Sequence, residues 1–220
     1  MAELVKTGFD SFDKAAGGGL PPRSSILLMG PPGPEKNFFA QRFVEEGIAS
    51  AEPSLFFSTD APPAQLETEI SGGEAARKAR LLKFVDCYSW MIPEQKPRSV
   101  DQVVSSSSDL TNLFLSYSKA MEEVYKAESN HRIVFRSLST LFIYNAVPSV
   151  SRFLQVLNAR TKAATATTLF LLDEGMHDPV IVNSLQHFLD GVIHVRPEGA
   201  SMSAKMDFVQ GGRPFDWTKL

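Results

Sequence analysis

Gly30, Gly33 and Lys36 stand at the spacing of a phosphate-binding turn, in the run Gly30-Pro31-Pro32-Gly33-Pro34-Glu35-Lys36-Asn37. A working turn of this kind reads G-x-x-x-x-G-K-[ST] between a strand and a helix. Its backbone N–H groups cradle phosphates, its lysine reaches the outer phosphates and its hydroxyl holds Mg²⁺. Three positions depart from the pattern. Glu35 stands where the second motif glycine belongs, Asn37 replaces the hydroxyl, and Pro34 lacks a backbone N–H. A carboxylate about 4 Å from a phosphate charge meets a repulsion of roughly 4 kcal/mol at an effective dielectric near 20. The missing glycine would have supplied backbone freedom and close approach. The residues therefore predict a vestigial phosphate site that holds ATP or ADP with Mg²⁺ weakly, if at all. Phe38 comes next and either fills ligand space or packs in the core, the second being the expectation.

The flanking elements must hold that turn in place. Ser25–Met29 is a short apolar run that predicts a buried strand before it, and Phe38–Ala49 predicts a helix after it, with Phe39, Phe43 and Val44 on one face. Further strands are expected at 54–58, 81–85, 133–135 and 168–172. Helices are expected at 64–70, closed by Gly72-Gly73, and at 150–162. Leu110, Leu113, Phe114, Tyr117, Met121 and Val124 fall at helical spacing behind Asp109, a natural cap. Asp178-Pro179 predicts the start of another helix, running to about Leu189. Residues 192–195 and 206–209 predict a closing antiparallel hairpin. Ile92 to Ser108 reads as a loop, and Gly211 to Leu220 as a tail. Apolar strands alternating with amphipathic helices imply an α/β fold, a mostly parallel sheet covered on both faces.

The chain has 220 residues, 43% of them hydrophobic and 21% charged, which suits one domain spanning 1–220. A net charge of −3 offers no bulk field for nucleic acid. The single cysteine, Cys87, forbids an intrachain disulfide and fits a reducing cytoplasm. It is expected to be a small buried hydrophobe. No run approaches the roughly 20 apolar residues of a membrane helix. The four histidines show no metal-ligand spacing and are expected at the surface or at strand ends.

From Thr7 onward, TGFDSFDKAAGGGLPPRSSILLMGPPGPEKNFFAQRFVEEG resembles the opening of the RecA/KaiC-like ATPases, with a T-G-x-x-x-x-D start, a triple glycine, a strand and the phosphate loop. FFSTDAPPAQL, KFVDCYSW and RIVFRSLSTL continue the resemblance in the family's order across almost the whole chain. It implies a RecA-like core with a degenerate loop and a degenerate metal-side strand. The family's metal-side aspartate would fall at Arg136, before Ser137 and 100 residues beyond Lys36. Its catalytic glutamate pair would fall at Asp60 and Ala61, leaving Asp60 as the one candidate base. Its Lys-Met-Arg element, which touches the neighbouring subunit's nucleotide, would fall at Lys205-Met206-Asp207. A competing reading places the metal strand at 169–174, ending in Asp173-Glu174. The sequence distances argue against it and leave Asp173 as a solvated strand end.

Glu35 and Arg136 carry opposite charges where phosphate and metal would lie, and the sequence predicts that they pair. The resemblance then implies a protein that is not an active enzyme and acts as a scaffold or regulator. Its partners would be other proteins, or copies of itself met through the RecA-like interface. Trp90 and Met91, the 92–108 loop and the 211–220 tail are the candidate contact segments. The alternatives are an ATP-binding or weakly hydrolysing KaiC-like ATPase, and a DNA-binding recombination accessory that rests on family analogy alone.

Overall fold

The computed structural model describes residues 3–92, 103–125 and 129–220. In chain order its elements are α1 (Asp10–Ala15), β1 (Ser25–Gly30), α2 (Glu35–Ala49), β2 (Ser54–Ser58), α3 (Pro63–Glu69), α4 (Gly73–Lys78), β3 (Leu82–Asp86) and β4 (Val103–Val104). They continue with α5 (Leu110–Val124), β5 (His131–Arg136), α6 (Leu138–Tyr144), α7 (Val147–Ala163), β6 (Ala166–Asp173), α8 (Pro179–Phe188), β7 (Gly191–Glu198), β8 (Ser201–Val209) and β9 (Phe215–Lys219).

Among the described residues nine strands form one sheet, in the order β4-β3-β2-β5-β6-β1-β7-β8-β9. The pairings from β4 to β7 are parallel, and β7-β8 and β8-β9 are antiparallel. The central strands are buried along their whole length, as parallel strands under two helical layers must be. Alternation splits their side chains between two cores. Ile26 and Leu28 meet Phe12, Phe39 and Phe43 of α1 and α2 on one face. Leu27 and Met29 face the side covered by α5 to α8, with Leu113, Leu154 and Leu185.

Five expectations need correction. The helix after the phosphate loop begins at Glu35, not Phe38, so Glu35, Lys36 and Asn37 belong to its first turn. Gly73 opens α4 rather than closing α3. Residues 138–144 form α6, capped by Ser137, whose hydroxyl accepts from the Ser139 N–H at 3.1 Å. The tail supplies β9, so the antiparallel edge has three strands rather than a two-stranded hairpin. The long loop lies mostly outside the described residues, and Val103–Val104 within it pairs with β3. No helix among the described residues is long and apolar enough to cross a membrane.

Candidate functional site

The parallel strands all point their carboxyl ends at one edge of the sheet, where ligands bind in open α/β folds. The β1–α2 turn leaves from this edge. A Cβ on Gly30 would come within 2.7 Å of the Val195 carbonyl oxygen on β7. That glycine is required by the packing of β1 against β7, whatever the turn binds. A Cβ on Gly33 would meet a Glu35 carboxylate oxygen at 2.5 Å. The Glu35 side chain thus folds back over its own loop at the amino end of α2, where the helix dipole favours an anion. Pro34 caps α2 without a side-chain bond, and its carbonyl accepts the Phe38 N–H at 2.8 Å.

Lys36 is buried, at 4% exposure. Its ammonium donates to the Gly30 carbonyl at 3.1 Å and to the Pro31 carbonyl at 2.5 Å, and it pairs with the Asp173 carboxylate at 2.9 Å. Two of its three protons thus go to main-chain carbonyls, and the Asp173 carboxylate is held as an ion pair rather than by an aligned hydrogen bond. Asp173 ends β6, directly across from Gly30 in the parallel register. The Glu174 N–H donates to the Gly30 carbonyl at 2.9 Å and fixes that corner. Asp173 is therefore not a solvated strand end. β6 lies next to β1 in the sheet, and the order of strands in space brings Asp173 to the loop.

Arg136 ends β5 and is 8% exposed. Contrary to the expectation from the sequence, it does not pair with Glu35. Its Nε contacts both oxygens of Asp60, at 2.9 and 3.1 Å. Asp60 follows β2, the strand beside β5, and is the nearer anion by topology. The Nη1 of Arg136 is buried and makes no hydrogen bond among the described residues. The Arg136 carbonyl accepts from the N–H and hydroxyl of Thr59, at 2.8 and 2.7 Å, so the ends of β2 and β5 are tied through the main chain as well. Asn37 is half-buried in the first turn of α2.

Phe38 is not core. It is 48% exposed and meets Phe9 edge-on at 5.9 Å. Cys87 is buried as expected, and burial pushes its thiol up. One histidine needs a correction too. His131 opens β5, a strand end as expected, but His194 lies within β7 between two carboxylates. Its Nδ1 is 2.5 Å from Glu174, while its Nε2, 2.9 Å from Asp207, makes a charge contact rather than an aligned hydrogen bond. Among the described residues no group of three or more His, Cys, Asp or Glu could hold a metal ion.

The other motif positions are used to build the fold. The Thr7 N–H and hydroxyl donate to the Asp13 carboxylate, at 3.0 and 2.9 Å. Gly8 has φ +86, and a Cβ there would strike the Arg42 carbonyl at 2.7 Å. Lys205, matched by the resemblance to the element that faces a neighbouring subunit, pairs with Asp207 at 2.8 Å on its own strand.

The comparisons with known proteins agree with this architecture. A UPF0273 protein of Methanopyrus kandleri is 28% identical over 203 residues, covering 88% of this chain and 76% of that protein. The circadian clock oscillator protein KaiC of Prochlorococcus marinus subsp. pastoris is 28% identical over 200 residues. This chain spans 38% of that KaiC. A KaiC-like protein from Pyrococcus horikoshii has the same fold, with a TM-score of 0.75 at 18% identity, over 100% of this chain and 94% of that one. Residues 23–195 match the profile of a family described only as of unknown function, DUF7504, and the chain belongs to that family.

Proposed function

We propose that this domain is a KaiC-like regulator that does not hydrolyse ATP and works through contacts with other proteins or with copies of itself. One observation carries the reading: the buried ammonium of Lys36 donates to the Gly30 and Pro31 carbonyls and is ion-paired with Asp173. A phosphate would have to displace a carboxylate from a lysine that is 4% exposed, and would meet the Glu35 carboxylate over Gly33.

The donor set also fits Mg²⁺ poorly. Mg²⁺ is held by carboxylate and phosphate oxygens and water. Here Asn37 replaces a hydroxyl, and the cation Arg136 stands at the end of the strand where the resemblance expects an anion. Asp60, the candidate base, is bound to Arg136. Protein contact is supported by exposed apolar side chains around the end of α6. Ile143 is 69% exposed, and Tyr144 contacts Met91 and Trp90. Exposed apolar clusters commonly mark interaction surfaces.

Calorimetric titration with ATP and Mg²⁺, combined with a phosphate-release assay, tests this. The natural chain is expected to show neither tight binding nor turnover. A variant carrying Glu35→Gly, Asn37→Thr and Arg136→Asp is expected to regain binding. Turnover by the natural chain would replace this reading with that of a KaiC-like ATPase.

A further inference from the structure

Helices α5 and α7 pack side by side over one face of the sheet, and an open groove of about 540 Å³ lies between them. Leu110, Phe114 and Leu115 of α5 line one wall, and Phe153 and Val156 of α7 line the other. Leu115 is 61% exposed and Val156 46%. Leu113 and Leu154, on the inner faces, already bury the two helices against the sheet. The outward apolar side chains are therefore surplus to that packing. An apolar face of this kind commonly marks an interaction surface.

The charge beside the groove is mostly of one sign. Arg152 lines it, and Arg160 follows about two turns later on the same side of α7. Neither guanidinium has an ion pair or hydrogen bond among the described residues. Between Glu128 and Asp173 the chain carries no acidic residue, although it has 25 in all and a net charge of −3. Helices α6 and α7 thus present cations with no carboxylate of their own. On α5 the acids come only in the last turn, where Glu123 pairs with Lys83 and Glu122 lies beside it. Asp109 lines the other end, and its carboxylate is used as a cap, accepting the Asn112 N–H at 2.9 Å.

We infer that the α5–α7 groove binds an acidic amphipathic helix of a partner protein. The partner's apolar side chains lie between Phe114, Leu115 and Val156, and its carboxylates meet Arg152 and Arg160. The inference rests on the reading above, that the domain works by protein contact, and adds the surface and the kind of partner. Shape selects a helix. From Ser149 to Val156 the lining covers about two turns of α7, the span of anchors at i, i+4 and i+7 on a docked helix. A lipid surface is flat and would touch only the rims of a concave groove. A nucleic-acid backbone would meet an apolar floor between its few cations. The complementary charge steers the partner and excludes basic helices of the same apolar pattern.

The test is a display library of helical peptides selected against the whole chain, with the affinities of the winners measured by fluorescence anisotropy. Winners are expected to carry net negative charge and apolar side chains at i, i+4 and i+7. Arg152→Glu, Val156→Glu and, from the opposite wall, Leu115→Glu are each expected to weaken them about tenfold or more while leaving the circular dichroism of the chain unchanged. Amide exchange in α5 and α7 is expected to slow when a winning peptide is bound. The inference is overturned if no peptide is selected, if the winners are basic, or if they bind the three variants as tightly as the natural chain. Binding to phosphatidylglycerol vesicles that Val156→Glu abolishes would give the groove to a lipid surface instead. A dimer in sedimentation velocity that Val156→Glu dissolves would give it to a second copy of this chain. Each of these results leaves the absence of hydrolysis standing, and ATP turnover by the natural chain would remove that reading without altering the peptide affinities.

Discussion

Arg132 and Arg136 lie near the two ends of β5, and both are buried. Arg132 is the more completely used. Its guanidinium meets Glu52 at 2.6 Å, donates to the carbonyls of Lys6 and Phe43, and lies over the Phe43 ring. Burial pushes the group down from its ordinary value, and Glu52 is the main force against that. Glu52→Gln leaves a cation stranded at 2% side-chain exposure, so a loss of about 3 kcal/mol is expected in urea denaturation. A midpoint equal to that of the natural chain would mean that the two carbonyls alone suffice. Arg136 has a partner that is 37% exposed and one nitrogen with no hydrogen bond among the described residues, so its pair contributes less to stability. The residue types in RIVFRSLSTL were legible from the sequence, but their partners were not. Charge signs alone matched Arg136 to Glu35. Asp60 wins because β2 runs beside β5 in register, Ser58 opposite Arg136.

The three-strand edge β7-β8-β9 carries its charge network on side chains that alternate with core residues. Arg196 lies 3.9 Å and Lys205 5.6 Å from the centre of the Trp217 ring on β9. Burial works to raise the Asp207 carboxyl, but Lys205 and His194 overcome it and hold the group below its usual 3.8. A lowered folded value means stability that is present above 3.8 and is lost as pH falls through the folded value. Asp207→Asn is therefore expected to flatten the acid limb of a melting-temperature profile taken from neutral pH to about pH 3. An unchanged limb would place the acid sensitivity elsewhere. At this scale the sequence was read well where apolar runs are long, as in β1, β2 and α5. It was read poorly in Phe215–Lys219, where two charges in five residues disguise a strand whose Phe215 packs on Phe12. Asp173 was undervalued for another reason. Its role depends on β6 lying beside β1, and no local pattern encodes which strands become neighbours.

Across the whole molecule, the sheet order sets how the fold can be reached. β1 pairs with β6 and β7, both from the last third of the chain, while β2 and β3 pair with each other early. Non-local parallel pairing is slow, and chains of this size commonly populate intermediates. Stopped-flow refolding is expected to show more than one exponential phase, the early one reporting β2 and β3. A single phase that follows every probe would show the sheet forming all at once.

The same order has a consequence during synthesis. β1, which has a strand on each side in the finished sheet, leaves the ribosome near the beginning and waits with both edges bare until most of the chain has followed. Its Ser25–Gly30 run, apolar on both faces, is in that interval the stretch most open to pairing with another nascent chain. Slowing translation after β5 would prolong that exposure, so soluble yield in a cell should depend on how quickly β6 and β7 arrive.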